Sequence, residues 1–526
     1  MILIASAAYI DNELIAEFGR IPPCMLPLAN KPLFEWQIKA IRKQLPKERL
    51  LLSLPLSYDI GDCNISRLSD LDVEVVNVPD GYSLAESLLF VINTVGNDDD
   101  VFRVLHGDTL IEDLTTSYDV LAVASTLSNY AWEIESHESQ EEIVWCGYFS
   151  FSSSKIFTKY LALSNGDFVA AVRSYDNKKK LNRHYTNQWF DLGHINTYFV
   201  SRSKLTTERS FNKLNIQDGF VFKTGSNYRK IDAEINWYLN APSKIKLRTP
   251  QLIEYGNSEG KPYYVLEYLY LTPLNELFVH GRNPTFFWGQ IFTLCDSFFE
   301  KCIDSIPTSV DSIKSFSYEA VSKDMHNLLV KKTWDRLEEF SKQSEIRLNM
   351  PWCFNGCWLP SLNQIADNCM NLANNQACVA GVMHGDFCFS NILFESRSNT
   401  IKVVDPRGIN HCGEFSIYGD ISYDFAKLMH SVIGLYDFIL ADMYKIQLID
   451  TNQLSFTITL DERMVEIQRL FLESSFAGGR LLPSKVMPQV ILLFLSMLSL
   501  HADNPMRQLA LMANALRLYQ ILQKKL

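Results

Sequence analysis

A short stretch near residue 390 carries the side chains that phosphoryl transfer requires. It reads His384-Gly-Asp-Phe-Cys-Phe-Ser-Asn, ending at Asn391, and Asp405 follows after two apolar runs. Such a reaction needs a carboxylate near the acceptor hydroxyl and oxygen ligands that hold Mg²⁺ on the nucleotide phosphates. Asp386 can supply the carboxylate, and Asn391 and Asp405 offer the hard oxygen ligands that magnesium prefers. The spacing therefore predicts a kinase site with Asp386 as its catalytic residue.

A lysine and a glutamate upstream fit the nucleotide side of the same site. Lys223 ends a predicted strand, and Glu234 lies on the helix predicted to follow it. In a kinase, a strand lysine neutralises nucleotide phosphates and a helix glutamate orients that lysine. Taken alone, such a pair favours a structural interpretation, an exposed strand lysine and a solvated helix glutamate. Their order before the Asp386 loop favours the functional interpretation, with Lys223 catalytic and Glu234 supporting the nucleotide.

Together these residues resemble the choline kinase and aminoglycoside phosphotransferase family, whose catalytic loop reads His-Gly-Asp-x4-Asn. The resemblance covers about residues 206–526 and implies an α+β, two-lobed, protein-kinase-like domain that uses ATP and Mg²⁺. Within it, Glu267 and Leu269 look like the hinge whose backbone binds adenine. A glycine-rich loop is reduced to Gln217-Asp-Gly. Arg407, beside the metal aspartate, fits either a contact to a phosphate or a surface ion pair.

A second motif lies near the N-terminus, in Phe18-Gly-Arg-Ile-Pro-Pro-Cys-Met-Leu-Pro-Leu-Ala-Asn-Lys-Pro. It resembles the start of a sugar-phosphate nucleotidyltransferase, where a phosphate-binding loop runs into Leu-Pro-x3-Lys-Pro and a helix. The resemblance covers about residues 1–205 and implies a doubly wound α/β domain. It also implies that Arg20 and Lys31 bind the phosphates of a nucleoside triphosphate.

The same resemblance assigns two aspartates to a metal. Asp108 follows a predicted strand in the sequence His-Gly-Asp, and Asp191 stands in Trp-Phe-Asp-Leu-Gly. In that family the two carboxylates clamp one Mg²⁺ on the α-phosphate, a sugar or alcohol phosphate attacks this phosphorus, and pyrophosphate leaves. Because a phosphate monoester is already a competent nucleophile, positioning and charge neutralisation are the main contributions expected from the protein.

Two departures from the family pattern bear on its activity. The first strand is followed by Ser6-Ala-Ala-Tyr-Ile-Asp-Asn in place of a Gly-x-Gly-x-Arg turn, and Pro23 stands where the family carries a lysine. Losing one cation beside a triphosphate costs about 3 kcal/mol of transition-state stabilisation, by analogy with one lost donor. The two basic residues named above are candidate substitutes. A basic cluster at Lys178–Lys180 and Arg183 fits either an acceptor phosphate or a solvated loop.

The order of predicted elements supports an α/β domain at the N-terminus. Apolar strands alternate with helical stretches, which is typical of a parallel, doubly wound sheet. Ligands of such sheets bind beyond the carboxyl ends of the strands, where Asp108 is expected. Strands are predicted at Ile2–Ala8, Arg49–Pro55, Val73–Val78 and Val101–Leu105, and helices at Leu33–Gln44 and Leu84–Val95.

Beyond residue 205 the pattern changes to that of a mixed fold. A hairpin turning at Gln217-Asp218 precedes a helix and two strands. From Thr285 onward the sequence is helix-like apart from one β-rich island, Ile392–Val404. The earlier elements are predicted at Ser210–Ile216, Gly219–Thr224, Tyr228–Asn240, Ser243–Leu247 and Tyr263–Tyr268. The predicted domains are 1–205, the kinase N-lobe 206–272 and the kinase C-lobe 273–526.

Composition excludes several classes of protein. Of the 526 residues, 47% are hydrophobic and 21% are charged, which excludes disordered and coiled-coil chains. A formal net charge of −11 argues against nucleic acid as a partner, because an acidic surface repels phosphate backbones. The cysteines show no paired framework, and Cys353-x3-Cys357 lacks a second pair, so we expect free thiols in a cytoplasmic protein. The apolar run Val490–Leu500 is too short to span a bilayer and is predicted to be a buried helix, so no stable membrane insertion is expected.

The motifs together predict a bifunctional enzyme. The kinase would phosphorylate a small sugar, polyol or amino alcohol with ATP. The N-terminal domain would then transfer a nucleotidyl group from a second nucleoside triphosphate, with CTP as one candidate, to the phosphorylated product. From the resemblance alone, this product is a nucleotide-activated precursor for surface or capsule polysaccharide.

Alternatives remain open at this point. One is a small-molecule kinase whose N-terminal domain is inert and serves binding or regulation. Another is a non-catalytic protein in which both domains sense nucleotides. Trp352, Trp358 and Tyr418 fit either a cation–π cage for a quaternary amine or the apolar core. The sequence leaves the oligomeric state open.

Overall fold

The structure is a computed structural model that describes residues 1–96, 101–128, 130, 132–138, 141–209, 214–306 and 317–525. The chain divides into two compact units. Unit 1 comprises Met1–Thr206 and His280–Asn283, and unit 2 comprises Thr207–Val279 and Pro284–Leu526. The domain boundaries near residues 205 and 272 stay predictions.

Unit 1 alternates strands with helices along most of its length. Its strands are β1 (Ile2–Ala5), β2 (Pro27–Leu28), β3 (Lys31–Pro32), β4 (Leu50–Pro55), β5 (Val73–Val78), β6 (Phe102–His106), β7 (Thr109–Ile111), β8 (Val120–Thr126), β9 (Ile134–Glu138), β10 (Glu141–Phe151), β11 (Asn182–Tyr185) and β12 (Trp189–Asp191). Its helices are α1 (Asn12–Phe18), α2 (Leu33–Gln44), α3 (Asp62–Asp70), α4 (Leu84–Val95), α5 (Ser154–Leu163), α6 (Phe168–Lys179) and α7 (Ile195–Arg209).

The main sheet of unit 1 has a parallel core. Its strands follow the order β11-β8-β10-β6-β1-β4-β5, and β9 pairs with the outer part of β10. Strands β6, β1, β4 and β5 are mutually parallel, while β10 runs antiparallel to both β6 and β8. Strands β7 and β12 form a separate antiparallel pair. The predicted α/β class with a parallel sheet is therefore confirmed.

Local sequence explains why the predicted elements of unit 1 form. Strand β4 reads as an unbroken apolar run and is buried along its whole length, as expected for a central parallel strand. Helix α4 begins at a capping box, in which Ser83 and Glu86 each accept a backbone N–H of the first turn. Helix α2 has Leu33, Ile38 and Ile41 on its buried face.

Unit 2 begins with a small antiparallel sheet and continues mainly as helices. Its strands are β13 (Leu214–Gln217), β14 (Phe220–Thr224), β15 (Leu252–Ser258), β16 (Lys261–Glu267), β17 (Thr272–Pro273), β18 (Trp352–Phe354), β19 (Cys357–Leu359), β20 (Ala380–Val382), β21 (Ile392–Glu395), β22 (Thr400–Val403), β23 (Tyr418–Asp420), β24 (Lys445–Asp450) and β25 (Gln453–Thr457). Its helices are α8 (Tyr228–Asn240), α9 (Ser243–Lys246), α10 (Leu274–Val279), α11 (Thr285–Ile303), α12 (Tyr318–Ser344), α13 (Leu362–Asn374), α14 (Ile421–Val432), α15 (Tyr436–Leu440), α16 (Glu462–Glu473), α17 (Pro483–Met497) and α18 (Pro505–Lys525).

The sheets of unit 2 place its sequence motifs at strand ends. The first sheet has the order β13-β14-β16-β15, and α8 packs against β16. A second sheet, β17-β21-β22, contains the hairpin between Asn391 and Asp405. The remaining strands form a sheet of order β19-β18-β25-β24 and the pair β20-β23. This mixture of a sheet-rich first part and a helix-rich second part confirms the predicted α+β class.

Three predictions for unit 2 were wrong in detail. The segment Ser243–Leu247 is helical over α9, because its first N–H groups bond to the carbonyl of Pro242 rather than to a neighbouring strand. The hairpin turns at Asp218-Gly219, both at positive φ, rather than one residue earlier. Strands β18, β19, β24 and β25 also add a sheet to a region predicted to hold one β-rich island. Residues 210–213 of the predicted strand Ser210–Ile216 lie outside the described residues.

The apolar run Val490–Leu500 belongs to a longer helical segment than predicted. Among the described residues, Pro483–His501 meets the length and composition criteria for crossing a membrane, and 83% of its apolar window is buried inside the fold. A core helix passes the same criteria. The burial agrees with the buried helix predicted for this run.

Candidate functional site

The loop that follows β20 holds Asp386 in a network of charge-assisted hydrogen bonds. Asp386 Oδ1 lies 2.9 Å from Lys427 Nζ, on α14. The side-chain amide of Asn391 donates to Asp386 Oδ2 and to the Asp386 carbonyl, both at 3.0 Å. Although burial opposes the charged form, Lys427 and Asn391 lower the pKa of Asp386 to about 2. The carboxylate is therefore ionised at neutral pH and fixed in position.

A buried carboxylate on α14 holds the backbone of this loop. Asp424, also on α14, accepts the backbone N–H groups of His384 and Gly385, each at 2.7 Å. Burial raises the pKa of Asp424 to about 7, while the two N–H groups act in the opposite direction. His384 is fully buried, and burial lowers the pKa of its imidazole to about 4. The ring therefore stays neutral, and its Nδ1 accepts the Asp386 N–H at 3.3 Å.

The lysine and glutamate predicted for the nucleotide side lie together with the metal aspartate. Lys223 Nζ is 2.9 Å from Glu234 Oε2 and 2.9 Å from Asp405 Oδ1. Burial opposes the charge on Lys223, but Asp405 and Glu234 raise its pKa overall. Glu234 is fully buried on α8 and also accepts the Tyr264 hydroxyl at 2.6 Å. The lysine thus spans the distance between α8 and the Asp405 segment.

The β21–β22 hairpin brings Asn391 and Asp405 to one edge of the site. Ile392 pairs with Val403, and the backbone N–H of Val404 donates to the carbonyl of Asn391 at 3.0 Å. Asp405 itself lies in the left-handed region with φ 58°, which aspartate tolerates better than most residues. The two predicted metal ligands therefore flank the same pair of strand ends.

Asp386, Asn391 and Asp405 open onto one cavity of about 690 Å³. Its wall is formed by the catalytic loop, the start of α8, and helices α12, α14 and α17. Lys332, Arg336 and Arg407 also line it. The cavity is large enough for a small acceptor beside the phosphates of a nucleotide.

The predicted hinge and the predicted aromatic cage lie outside this cavity wall. Glu267 ends β16, and its backbone N–H donates to the Gln251 carbonyl at 3.0 Å. The carbonyl of Leu269 accepts the Leu271 N–H at 2.8 Å. Both hinge residues are absent from the cavity lining, and so are the three aromatic residues suggested as a cage, Trp352, Trp358 and Tyr418.

The donor set at the cavity fits a hard divalent cation. The amide nitrogen of Asn391 is engaged by Asp386, which leaves its oxygen as the atom available to a cation. One oxygen of Asp405 binds Lys223, and the side chain is 47% exposed. Two such oxygen ligands plus substrate phosphates are typical of Mg²⁺ sites. Among the described residues, no group of three or more His, Cys, Asp and Glu side chains is placed to hold a metal by itself.

In unit 1 one predicted metal aspartate, Asp108, directly precedes β7, and the other, Asp191, ends the neighbouring strand β12. Asp191 pairs with Thr109, next to Asp108, and the backbone N–H of Leu192 donates to the Asp108 carbonyl at 2.9 Å. A Cβ atom on Gly193 would lie 2.5 Å from Asp108 Oδ2, so a larger residue there would clash with the carboxylate. Burial raises the pKa of Asp108, and the charge of Asp191 acts in the same direction. A cation between the two carboxylates would relieve this repulsion.

Asp191 already has partners in this structure. His194 Nδ1 lies 2.8 Å from Asp191 Oδ2, and Thr197 donates its hydroxyl to the same oxygen. The hydrogen bond to Asp191 raises the pKa of His194 against the effect of burial. Asp191 also lines a cavity of about 450 Å³ with Trp132, Trp189 and Lys204. This cavity does not include Asp108 in its lining.

A glutamine on α2 holds the Asp108 segment. The buried side-chain amide of Gln37 donates to the carbonyl oxygens of His106, Gly107 and Thr109 at 3.0, 3.2 and 2.8 Å. Gly107 packs on the first loop, where an added Cβ would lie 2.7 Å from Ser6 Cβ. The helix therefore fixes the backbone on both sides of Asp108.

The basic residues predicted for unit 1 have different surroundings. The guanidinium of Arg20 stacks 3.8 Å from the Tyr9 ring, whereas Lys31 forms an ion pair with Glu35 at 2.8 Å. The second basic cluster is partly neutralised, because Arg183 binds Glu135 at 2.6 Å and Asp176 at 2.8 Å. Lys178–Lys180 are exposed at the end of α6. Pro23 begins a short 3₁₀ helix.

Sequence reasoning missed Lys427, Asp424 and Gln37. Each is a polar residue on the buried face of an amphipathic helix, a position where an unpaired polar group would be costly. The sequence shows this pattern, but the hydrogen-bond and ion-pair partners of these residues lie about 40 to 70 residues away along the chain. The structure gives the positions of the predicted site residues, and their functional roles stay predictions. These residues are Asp386, Lys223, Glu234, Asn391, Asp405, Glu267, Leu269, Arg20, Lys31, Asp108 and Asp191.

The chain resembles solved structures in two separate parts. No family model matches it, and no curated protein matches it. A nucleoside-diphosphate-sugar pyrophosphorylase from Vibrio cholerae is 16% identical, with a TM-score of 0.32, covering 38% of this chain and 99% of that one. HddC from Yersinia pseudotuberculosis is 15% identical, with a TM-score of 0.28, covering 39% and 98%.

The second part resembles a different class of enzyme. A variant of aminoglycoside 2'-phosphotransferase-IIIa in complex with GDP is 13% identical, with a TM-score of 0.34, covering 63% of this chain and 98% of that one. The structures similar to this chain thus include nucleotidyltransferases and aminoglycoside phosphotransferases, the two classes named from the sequence. At these identities the likeness concerns the fold alone.

Proposed function

We propose that unit 2 is a small-molecule kinase that transfers the γ-phosphoryl group of ATP to a hydroxyl group. The arrangement that carries this proposal is Asp386, fixed by Lys427, facing the same cavity as Asn391 and Asp405. Lys223, which binds both Glu234 and Asp405, would neutralise the nucleotide phosphates. Few structural roles would require Asp386, Asp405 and Lys427 at one cavity, with Lys223 bound to Asp405 beside it.

Each residue has a defined task in this proposal. Asp386 accepts a hydrogen bond from the acceptor hydroxyl and takes its proton as the new bond to phosphorus forms. Asn391 and Asp405 would hold Mg²⁺, which neutralises charge on the phosphates when it is bound. Asp424 and neutral His384 keep the loop backbone in place, so that Asp386 does not need to reorganise.

We further propose that unit 1 transfers a nucleotidyl group from a nucleoside triphosphate to a phosphorylated alcohol or sugar. The neighbouring carboxylates Asp108 and Asp191 support this proposal, since both would hold a Mg²⁺ ion on the α-phosphate. The product of the kinase is the kind of nucleophile that such a reaction consumes. CTP is one candidate nucleotide, and an activated precursor for surface or capsule polysaccharide is the product that the resemblance suggests.

The alternative for unit 1 is a binding or regulatory domain without catalysis. Three observations favour it: Pro23 replaces the family's lysine, Lys31 is paired with Glu35, and Asp191 is bound by His194. The two possibilities differ in pyrophosphate release. An active domain releases pyrophosphate from one nucleoside triphosphate when a phosphorylated acceptor is present, whereas an inert domain binds the nucleotide and releases none.

The kinase proposal is tested with the full chain, ATP and Mg²⁺. Formation of ADP is measured against a panel of sugars, polyols, amino alcohols and their phosphorylated forms. Acceptor-dependent turnover that falls in Asp386→Asn but persists in Asp335→Asn, an exposed aspartate of α12, would support the proposal. A chain that binds ATP but forms no ADP with any acceptor would instead be a nucleotide sensor.

A further inference from the structure

The kinase cavity is lined by more cations than carboxylates. Lys332 and Arg336 lie on α12, and Arg407 follows Asp405 by two residues. All three line the cavity at Asp386. We call them the cationic cluster. No carboxylate forms an ion pair with any of the three among the described residues, although ion pairs are found for other cations of this cavity.

The carboxylates at the cavity are already matched by other cations. Asp386 is bound by Lys427 at 2.9 Å, and Asp405 is bound by Lys223 at 2.9 Å. The remaining lining cations, Arg229 and Lys230, have partners of their own: Arg229 donates to the Gly413 carbonyl, and Lys230 lies 3.7 Å from a carboxylate oxygen of α8. Among the described residues, Lys332, Arg336 and Arg407 therefore line the cavity without a carboxylate ion pair, as does Arg229, and Glu339 acts on Arg336 only at longer range.

The positive charge of the cationic cluster shifts the pKa values of Tyr423 and Lys332. Tyr423 is 2% exposed, and burial raises its pKa, but Lys332, Lys427 and Arg407 lower it to below the ordinary value. Tyr423 raises the pKa of Lys332 in return, yet burial and the neighbouring cations, Arg336 among them, lower it overall. Cations that destabilise one another in a half-buried site create a positive potential there.

Two members of the cationic cluster, Lys332 and Arg336, lie on α12, whereas Arg407 follows Asp405, the residue that binds Lys223. Arg336 donates from Nη1 to the Ser496 carbonyl of α17 at 2.9 Å, which fixes the guanidinium against that helix. Leu493 and Met497 of α17 line the same part of the wall. The hinge residues of the first sheet are absent from this lining. A ligand held by Lys332 and Arg336 would lie against α12 and α17, in the same cavity as Asp386.

We propose that the phosphoryl acceptor is an alcohol that itself carries an anionic group, a phosphate or a carboxylate, bound by Lys332, Arg336 and Arg407. This inference rests on the kinase activity proposed above and narrows its acceptor class. It disfavours choline and other cationic amino alcohols, which the same charges would repel. A phosphorylated sugar or polyol fits both the charge and the cavity volume of about 690 Å³.

The group transfer proceeds as follows for such an acceptor. The acceptor hydroxyl oxygen forms a bond to the γ-phosphorus of ATP, and the bond from this phosphorus to the β–γ bridging oxygen breaks. ADP leaves with that electron pair, and the hydroxyl proton passes to the Asp386 carboxylate. The anionic group of the acceptor stays bound to the cationic cluster and takes no part in bond making.

The first test measures acceptor kinetics in the full chain. Lys332→Gln and Arg336→Gln should each raise the KM for an anionic acceptor about 10- to 100-fold, as expected for a lost charged hydrogen bond. The KM for ATP should stay unchanged. Lys331→Gln is the matched control, since Lys331 is exposed on the same helix. Glycerol phosphate and glycerate in the panel distinguish a phosphate from a carboxylate as the preferred group. Preference for a neutral or cationic acceptor, or an unchanged acceptor KM in both variants, would overturn the inference.

The second test separates this inference from the kinase proposal itself. Binding of inorganic phosphate is measured by calorimetry without Mg²⁺ and in the presence of ADP, which occupies the nucleotide side. We expect binding that weakens about 10-fold or more in Lys332→Gln and in Arg336→Gln and persists in Lys331→Gln. If no acceptor is turned over but this pattern is found, the anion site stands and the kinase proposal fails. Phosphate binding that is absent or equal in all the proteins would overturn the anion site.

Discussion

At the scale of single residues, the kinase cavity is organised by pairs of opposite charge. Lys427 fixes Asp386, and Lys223 joins Glu234 to Asp405. A half-buried ion pair is costly to break from one side, because the remaining charge loses its partner without regaining water. These pairs therefore define which substitutions should be most informative.

Lys223→Met should reduce kcat/KM for ATP about 100-fold or more, the effect typical of losing one charge-stabilising group. Methionine preserves the apolar part of the lysine side chain, so that the loss reflects charge rather than packing. Lys261→Met, at an exposed position of the same sheet, is the control and should change little. The measurement is ATP-dependent turnover with the melting temperature recorded alongside. Equal activity in the two variants would remove Lys223 from the proposed site.

Asp437 offers a pH-dependent prediction. It is 1% exposed on α15, burial raises its pKa to about 7, and neither carboxylate oxygen has a hydrogen-bond partner among the described residues. The unfolded chain releases this proton near pH 4, so between about pH 4 and pH 7 the folded state binds more protons and stability falls as pH rises. Asp437→Asn should remove this dependence.

The expected signature is a difference between two pH values. At pH 4 the free energies of unfolding of Asp437→Asn and the parent should be similar. At pH 8 the variant should be more stable by up to about 4 kcal/mol, the product of the pKa change and 1.4 kcal/mol per unit. Denaturant unfolding at both pH values provides the measurement. A stability difference that does not grow with pH would show that Asp437 is ionised in the folded state.

At the scale of elements, helices position the functional loops of each unit. Helix α2 does this through Gln37, and α14 does it through Asp424 and Lys427. A glycine provides a third example: Gly408, at φ 62°, lies so close to α8 that a Cβ atom would be 1.9 Å from the Ala233 carbonyl oxygen. The loop after Asp405 thereby contacts the helix that carries Glu234.

Gln37→Leu should lower stability by about 1–3 kcal/mol, since three backbone carbonyls lose their donor in a buried environment. If unit 1 is a nucleotidyltransferase, pyrophosphate release should fall as well, because the Asp108 segment loses its support. Gln44→Leu, at the last position of the same helix, serves as the control. Thermal unfolding and pyrophosphate release are measured on the same preparations. Similar stability in both variants would show that the amide of Gln37 does not hold this loop.

Gly408→Ala should destabilise unit 2 by at least about 2 kcal/mol more than Gly260→Ala, because overpacking adds to the cost of the positive φ. Both glycines have positive φ, at 62° and 77°, but nothing lies within 4 Å of a Cβ atom on Gly260. The control therefore isolates the steric contact with α8. Kinase turnover should fall only in Gly408→Ala. Equal destabilisation by the two substitutions would mean that α8 moves aside without cost.

The elements also show what a single sequence can and cannot predict. Helices over Leu33–Gln44, Leu84–Val95 and Tyr228–Asn240 were predicted at their exact bounds, because apolar periodicity and capping residues are local signals. Strand β18 was missed because it is three residues long and pairs with β25, about 100 residues later. The segment Ser243–Leu247 was predicted as a strand because polar and apolar residues alternate in it. In the structure it forms one helical turn that begins after Pro242.

In the candidate sites, too, local sequence signals predict some residues and long-range contacts bring in others. The shared cavity of Asp386, Asn391 and Asp405 was predictable because a motif of fixed spacing and one hairpin carry these residues, whose roles stay predictions. Their support by Lys427 depends on a tertiary contact to α14 that no spacing rule contains. The cationic cluster is a further case, since Lys332 on α12 and Arg407 are far apart in sequence and meet only at the cavity.

At the scale of the whole molecule, two chemical activities are proposed, one for each unit of the chain. Unit 1 places Asp108 beside Asp191, and unit 2 places Asp386 with Asn391 and Asp405. The reactions are coupled by chemistry, because a kinase makes the phosphate monoester that a nucleotidyltransferase uses as its nucleophile. Each unit has its own carboxylates, so each activity should respond to substitutions in its own unit.

The most direct test of this central claim compares Asp386→Asn and Asp108→Asn with the parent chain. ADP formation from ATP with a hydroxyl acceptor, and pyrophosphate release from each nucleoside triphosphate with a phosphorylated acceptor, are measured on every protein. The account predicts that Asp386→Asn lowers ADP formation about 100- to 10,000-fold and spares pyrophosphate release, and that Asp108→Asn does the reverse. Full ADP formation in Asp386→Asn, or pyrophosphate release that is absent from the parent or unaffected in Asp108→Asn, would contradict it.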